Sequence, residues 1–263
     1  MSKTRRALWV TLALALVTRP LDILLGAMLL DVSVNPLPQC LAGMLASLLL
    51  LGLPAWLMRP WTSIRLTRAK SLWPGLLMAV GGALLLRGAL SPVDTAWQRL
   101  LEIAPNPLPA PANLPTALLY VLALTAIPAL AEEAFFRGAL LTSLLDGSRR
   151  GAAVALTTVI FALMHTSAAN LPSLLAVSLF LTLLMLRTGC IAVPMTAHLV
   201  YNLTALGGIA LPGWGSMLCG AGLAGILMML CVRRQKIVHQ PMNRGDGWIA
   251  ALTLAVLTAL KFV

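Results

Sequence analysis

Apolar residues run through this chain in long blocks with few charges inside them. The blocks fall at about residues 7–30, 39–58, 72–90, 114–145, 151–167, 171–186, 190–210, 214–232 and 247–262. None alternates apolar and polar residues at every second position, so barrel strands are not predicted. Each block predicts a helix instead, and most approach the roughly 20 residues that cross a hydrocarbon core. A helix satisfies its own backbone hydrogen bonds, which is what lipid demands of a spanning segment. The predicted fold class is all-α, a polytopic transmembrane helix bundle of about nine spans.

The first block follows Lys3, Arg5 and Arg6 and so resembles a secretory signal. No small-x-small site follows it, and apolar character resumes from Leu21 to Leu30, so it reads as a retained helix. Arg19 and Asp22 stand three apart within it and are expected to pair, with Pro20 bending the helix. The four cysteines have no CxxC spacing; Cys40, Cys190, Cys219 and Cys231 are expected to be small buried hydrophobes.

Composition changes the picture by fixing the solvent. Hydrophobic residues make up 59% and charged residues only 10% of the chain, whereas a soluble domain is about a quarter charged. The formal charge of +11 would suggest nucleic acid in a soluble protein. Here the basic residues collect between the blocks, and no nucleic-acid partner is expected. Fourteen of the nineteen fall on one side if the N-terminus is inside: Lys3 to Arg6, Arg59 to Lys70, Arg149 and Arg150, Arg187, and Arg233 to Arg244. Arg87, Arg99 and Lys261 are left on the other side, and Arg19 and Arg137 lie within helices. That bias predicts an integral protein of a bacterial cytoplasmic membrane, N-terminus inside, C-terminus outside. The proline-rich stretch 91–113 is read as an extended outer connection. Residues 1–263 form a single integral-membrane domain.

The candidate chemistry lies where polar residues interrupt the apolar blocks. Two of the three glutamates, Glu132 and Glu133, are adjacent inside the fourth block, where a charge costs several kcal/mol, roughly 2.5–3.5 even on a lenient insertion scale. Arg137 is four residues from Glu133 and faces the same way, so the two can neutralise each other. Its planar fork can hold Glu133 and a backbone carbonyl together. Glu132 points about 100° away. Two later blocks carry Phe161-Ala162-Leu163-Met164-His165 and His198-Leu199-Val200-Tyr201-Asn202. Measured from the turn at 146–151, Glu132, Glu133 and His165 rise roughly 20 Å; measured from the inner start of the seventh block near Arg187–Cys190, His198 and Asn202 rise roughly 12 and 18 Å. Three helices therefore bring five polar side chains to one depth, in a site expected to face the inner side. Phe161, one turn from His165, can wall it.

A carboxylate beside an imidazole can deprotonate water, and a second imidazole with a carboxamide can donate to a developing oxyanion. Adjacent carboxyls at low dielectric do not both ionise easily, which gives Arg137 a task. No serine, threonine or cysteine is paired with a base, so direct attack by water is the economical chemistry.

The three motifs, EExxxR, FxxxH and HxxxN in this order, resemble those of the CAAX protease and bacteriocin-processing (Abi) family of intramembrane glutamate proteases. The resemblance covers about residues 114–210, leaving 1–113 and 211–263 as accessory transmembrane helices. It implies that Glu132 is the catalytic base working with His165, that His198 and Asn202 form the oxyanion site, and that Glu133 and Arg137 support them. It implies no cofactor and no metal, and a membrane-associated protein or peptide as substrate. Three alternatives remain: a zinc protease using Glu132, His165 and His198, a transporter or proton relay, and an inactive immunity or assembly scaffold.

Overall fold

The computed structural model describes residues 2–28, 36–58, 72–103, 111–165, 168–206, 242 and 244–261. The block at 214–232, Cys219, Cys231 and the side chains of Arg19 and Asp22 lie outside what is described. The other blocks are helices: α1 (Lys3–Met28), α2 (Leu37–Met58), α3 (Leu72–Leu100), α4 (Leu114–Gly147), α5 (Arg150–Met164), α6 (Leu171–Thr188), α7 (Ala192–Leu206) and α8 (Arg244–Lys261). No strand occurs among the described residues. Four helices, α2, α3, α4 and α6, are long and apolar enough to cross a membrane; α5 is apolar but shorter.

Local chemistry sets where these helices begin and end. Asn113 caps α4 by accepting from the Thr116 amide at 3.0 Å, with Pro115 in the first turn where no amide is needed. Helix α6 has no cap from its own Asn170. It borrows the buried carboxylate of Asp94, on α3, which accepts from the Ser173 amide at 3.3 Å and from the Ser173 hydroxyl. A carboxylate there meets the positive end of the helix dipole. Gly189, at φ 63°, ends α6 with its amide on the Met185 carbonyl at 2.8 Å.

Two ends of the bundle are well tied. At one, Lys3 meets Asp146 at 3.0 Å, Arg5 meets Asp246 at 3.0 Å, and Thr4 donates to the Ser143 carbonyl at 2.7 Å. The starts of α1 and α8 therefore share an end with the α4–α5 turn. At the other, Trp97 Nε1 donates to the Ala168 carbonyl at 2.9 Å and Gln98 to Asn170 Oδ1 at 3.0 Å. That contact corrects the reading of 91–113 as an extended connection: α3 continues through Pro92 to Leu100. Proline removes one amide from the ladder, which a helix bordering a polar cavity tolerates.

Close backbone approach packs α3 against the helices that carry the site. A Cβ at Gly82 would lie 2.2 Å from the Phe180 ring, and one at Gly75 only 2.9 Å from Val193. Phe135, Phe136, Leu140, Leu144, Ile160 and Phe161 fill the core between α4 and α5, with Leu8 and Met58 behind them.

Candidate functional site

Helix α4 widens into a π-helical turn at Ala134–Leu140, immediately after the glutamate pair. Such a turn inserts an extra residue and re-aims side chains, and it is common at functional sites. Glu133, just before it, and Arg137, within it, project into the protein, and both are fully buried. Arg137 Nη1 donates to Glu133 Oε1 at 2.7 Å, while Nη2 donates to the carbonyl and the hydroxyl of Ser178 on α6, each at 3.0 Å. The guanidinium carbon also lies 4.6 Å from the Phe161 ring centroid. The fork thus holds Glu133 and a backbone carbonyl together, as the sequence suggested. Ser178 is the partner that sequence reasoning missed; its only signal was a hydroxyl within an apolar block.

Glu133 Oε1 also accepts from His198 Nδ1 at 2.8 Å. His198, on α7, is thereby turned so that Nε2 stands 3.8 Å from Glu132 Oε2. From α5, His165 donates Nδ1–H to the Phe161 carbonyl at 2.8 Å and brings its own Nε2 to 3.7 Å from the same oxygen. Glu132 Oε2 is itself buried and has no hydrogen-bond partner among the described residues. Two imidazole nitrogens thus face one carboxylate oxygen at spacings longer than a direct hydrogen bond. The Phe161 ring walls the group, with centroids 4.6 Å from His165 and 5.8 Å from His198.

These side chains open on a cavity of about 700 Å³ lined by Glu132, Phe161, His165, His198 and Asn202. All the residues expected at a shared depth are therefore brought together, with Glu133 and Arg137 behind the wall. The direction differs from the expectation. The lining continues along α3 through Arg87, Ser91, Thr95 and Gln98 to Asn170, at the end away from the N-terminus. The cavity does not run toward the Asp146 turn. Depth counted in helix rise could not tell which side of the site was walled off.

Two more contacts were not foreseen. Lys261, assigned to the outer side, is buried at the end of α8, with Nζ 2.5 Å from the His165 carbonyl and 3.4 Å from that of Ala162. The stripe on α3 was missed because 91–98 was read as loop. Taken as helix, residues 87, 91, 94, 95 and 98 fall on one face, a spacing that would have announced it. Cys40 and Cys190 are buried and unbridged, as expected. Among the described residues, no group of three or more His, Cys, Asp or Glu is arranged to hold a metal ion.

A helical membrane protein with a buried acid–imidazole cluster at the junction of three helices is the class these features define. Within it, residues 114–204 match the family model described as type II CAAX prenyl endopeptidase Rce1-like. The match takes in all three motifs and bears out the family resemblance read from them. It leaves α1 to α3 and α8 outside. No curated protein and no solved structure matches the chain significantly.

Proposed function

We propose that this protein is an intramembrane endopeptidase in which Glu132 and His165 activate water against a peptide bond of a membrane-associated substrate. The observation that carries this reading is the buried, partnerless Glu132 Oε2 between two imidazole Nε2 atoms at 3.7 and 3.8 Å. Groups too far apart for a direct hydrogen bond can share a water that bonds to both. The family match supports peptide hydrolysis as the reaction.

The hydrogen bonds constrain where protons reside. Both Nδ1 atoms are committed, His165 to a carbonyl and His198 to a carboxylate oxygen, and both partners only accept. If both rings were neutral, their Nε2 lone pairs and Glu132 Oε2 would be three acceptors facing one another. One water donates to two of them, so the third contact needs a further proton. The proposed oxyanion role requires it on His198, so that Nδ1–H serves Glu133 while Nε2–H faces the cavity. His165 then stays an acceptor beside Glu132.

In the resulting step water forms a bond to the scissile carbonyl carbon as its proton passes to Glu132, with His165 orienting it. The oxyanion receives hydrogen bonds from His198 Nε2–H and the Asn202 amide. Collapse breaks the carbon–nitrogen bond, and the proton on Glu132 goes to the leaving amine, so the carboxylate is regenerated. No cofactor is required by this balance. The basic residues at the end that holds Lys3, Arg5 and Arg149 orient that end toward the cytoplasm, and the polar mouth of the cavity then faces the other leaflet.

The test uses the purified full-length protein in detergent. A substrate is first identified by comparing membranes that hold the wild type or Glu132→Gln and finding the precursor that only the wild type shortens. Its cleavage is then measured with and without a strong chelator, alongside the zinc content. Unchanged turnover in chelator, with Glu132→Gln inactive, is the expected result. Stoichiometric zinc with chelator-sensitive cleavage would replace the mechanism with the metal one.

A further inference from the structure

Arg87 is a charge that the proposed reaction does not use. It lies on α3, outside the segment that matches the family, yet its side chain lines the cavity together with Glu132 and Asn202. It is half-buried in an apolar helix and has no hydrogen bond or ion pair among the described residues. Tyr201 lies against it, its ring centroid 5.9 Å from the guanidinium carbon, and the Asp94 carboxylate interacts with it electrostatically without forming an ion pair. A cation–π contact at that distance steadies the group without consuming its five N–H donors. The other charge on the stripe, Asp94, is already committed to Ser173 and stands two helical turns away, about 10 Å further along α3.

A partly desolvated guanidinium with free donors in a membrane-embedded cavity is matched by an anion. Tyr201 is the neighbour of Asn202 and lies one turn after His198 on α7, so that anion would be held within a few residues of the proposed oxyanion site. On the rest of the α3 stripe Ser91 offers a hydroxyl, while Thr95 and Gln98, whose donors are engaged with the Ser91 carbonyl and with Ala169 and Asn170, offer acceptor oxygens to an extended peptide backbone. The Asp94 carboxylate on the same wall disfavours a doubly charged phosphate more than a singly charged carboxylate. We propose that Arg87 is a substrate-recognition subsite that binds a carboxylate of the peptide, either its free C-terminus or an acidic side chain, and so selects what is placed before Glu132. This assignment rests on the reading of the cavity as a peptide site, but it can be tested without turnover.

The probe is a mixed peptide library made in two forms, C-terminal acid and C-terminal amide, each with members that carry Glu or Gln at every position. Retention on the immobilised full-length Glu132→Gln protein in phosphatidylcholine nanodiscs is read by mass spectrometry, and repeated with Arg87→Gln and Arg87→Lys added to it. The expected result is acid over amide, or Glu over Gln at one position, by about tenfold to a hundredfold, the range for one charge-assisted hydrogen bond. Arg87→Gln should abolish the preference, and Arg87→Lys should keep only part of it because the planar fork is lost. The first pair identifies the C-terminus as the source of the carboxylate, the second a side chain. Equal retention of all forms, including none, overturns the subsite. So does a preference that survives Arg87→Gln in a variant with an unchanged melting temperature. A preference erased when phosphatidylglycerol replaces phosphatidylcholine would reassign Arg87 to a lipid headgroup. Hydrolysis by wild type of library members with no acid preference would overturn the subsite while leaving the protease reading intact.

Discussion

Glu132 and Glu133 are neighbours in sequence and opposite in circumstance. Glu133 is sealed, with one oxygen accepting from Arg137 at 2.7 Å and from His198 at 2.8 Å. Glu132 is partly open to a cavity, and its inner oxygen has two imidazoles just beyond bonding distance. The same side chain, one residue apart, is on one side a fixed counter-charge and on the other a carboxylate open to the cavity. Short contacts on the sealed side orient the groups that face one another more loosely on the cavity side. If this division holds, substitutions on the cavity side should remove activity with the fold intact, and those on the sealed side should remove the fold first.

The largest expected effect on rate is at Glu132. Glu132→Gln keeps the volume and hydrogen-bonding capacity but cannot take a proton from water, so turnover should fall by roughly 10²–10⁴-fold. The melting temperature in detergent should hardly move, since no hydrogen bond to Oε2 is lost. Normal turnover in this variant would end both the glutamate-base and the zinc readings.

On the sealed side the large effect is on stability. Arg137→Met leaves Glu133 buried without its cation, and breaking a buried pair costs roughly 3–5 kcal/mol. Folded yield should drop sharply, as read by size-exclusion profile and thermal melting. Arg137→Lys should restore part of it, because a point charge can meet Glu133 but cannot also reach both Ser178 oxygens. Full stability and full cleavage with lysine would mean that only the charge matters.

The division also explains how much of the molecule was readable beforehand. The helices were legible because long apolar blocks admit little else, and the Glu133–Arg137 pair because four-residue spacing puts both on one face. The convergence of His165, His198 and Asn202 followed from helix rise measured from common turns. What could not be read depends on how helices lie side by side. Ser178 meets Arg137 across 41 residues, and Lys261 meets His165 across 96. The side on which the cavity runs was misread for a related cause. Proline suggested that 91–98 was loop, and so the polar face of α3 was not recognised as a wall.

His198 and Asn202 separate the two roles within the proposed oxyanion site. Asn202 lines the cavity, so Asn202→Ala should lower kcat by roughly 10²–10³-fold with KM little changed. His198 bridges both regions, so His198→Ala should lower kcat comparably and also cost stability through the lost bond to Glu133. Equal melting temperatures for the two variants would show that His198 belongs wholly to the cavity side.

The smallest effect is expected at Lys261, and it tests whether the sealed scaffold reaches beyond the matched segment. Its ammonium holds the carbonyls of Ala162 and His165 where α5 ends. The Ala162 carbonyl is among the last four of the helix, which lack intrahelical partners, and the His165 carbonyl lies just beyond its end. A cation there satisfies them and suits the negative end of the helix dipole. It therefore fixes the backbone from which the His165 ring reaches Glu132. Lys261→Met keeps the buried stem and removes the donors to both carbonyls, and since no side chain that lines the cavity is changed, kcat should fall by only about tenfold. Lys261→Arg should recover most of that loss, because it again places donors at the two carbonyls. KM should stay constant in both, as Lys261 does not line the cavity. A fall in melting temperature with kcat unchanged would reduce Lys261 to a plain helix cap. A fall in kcat that arginine restores would place the last helix within the machinery that aims His165.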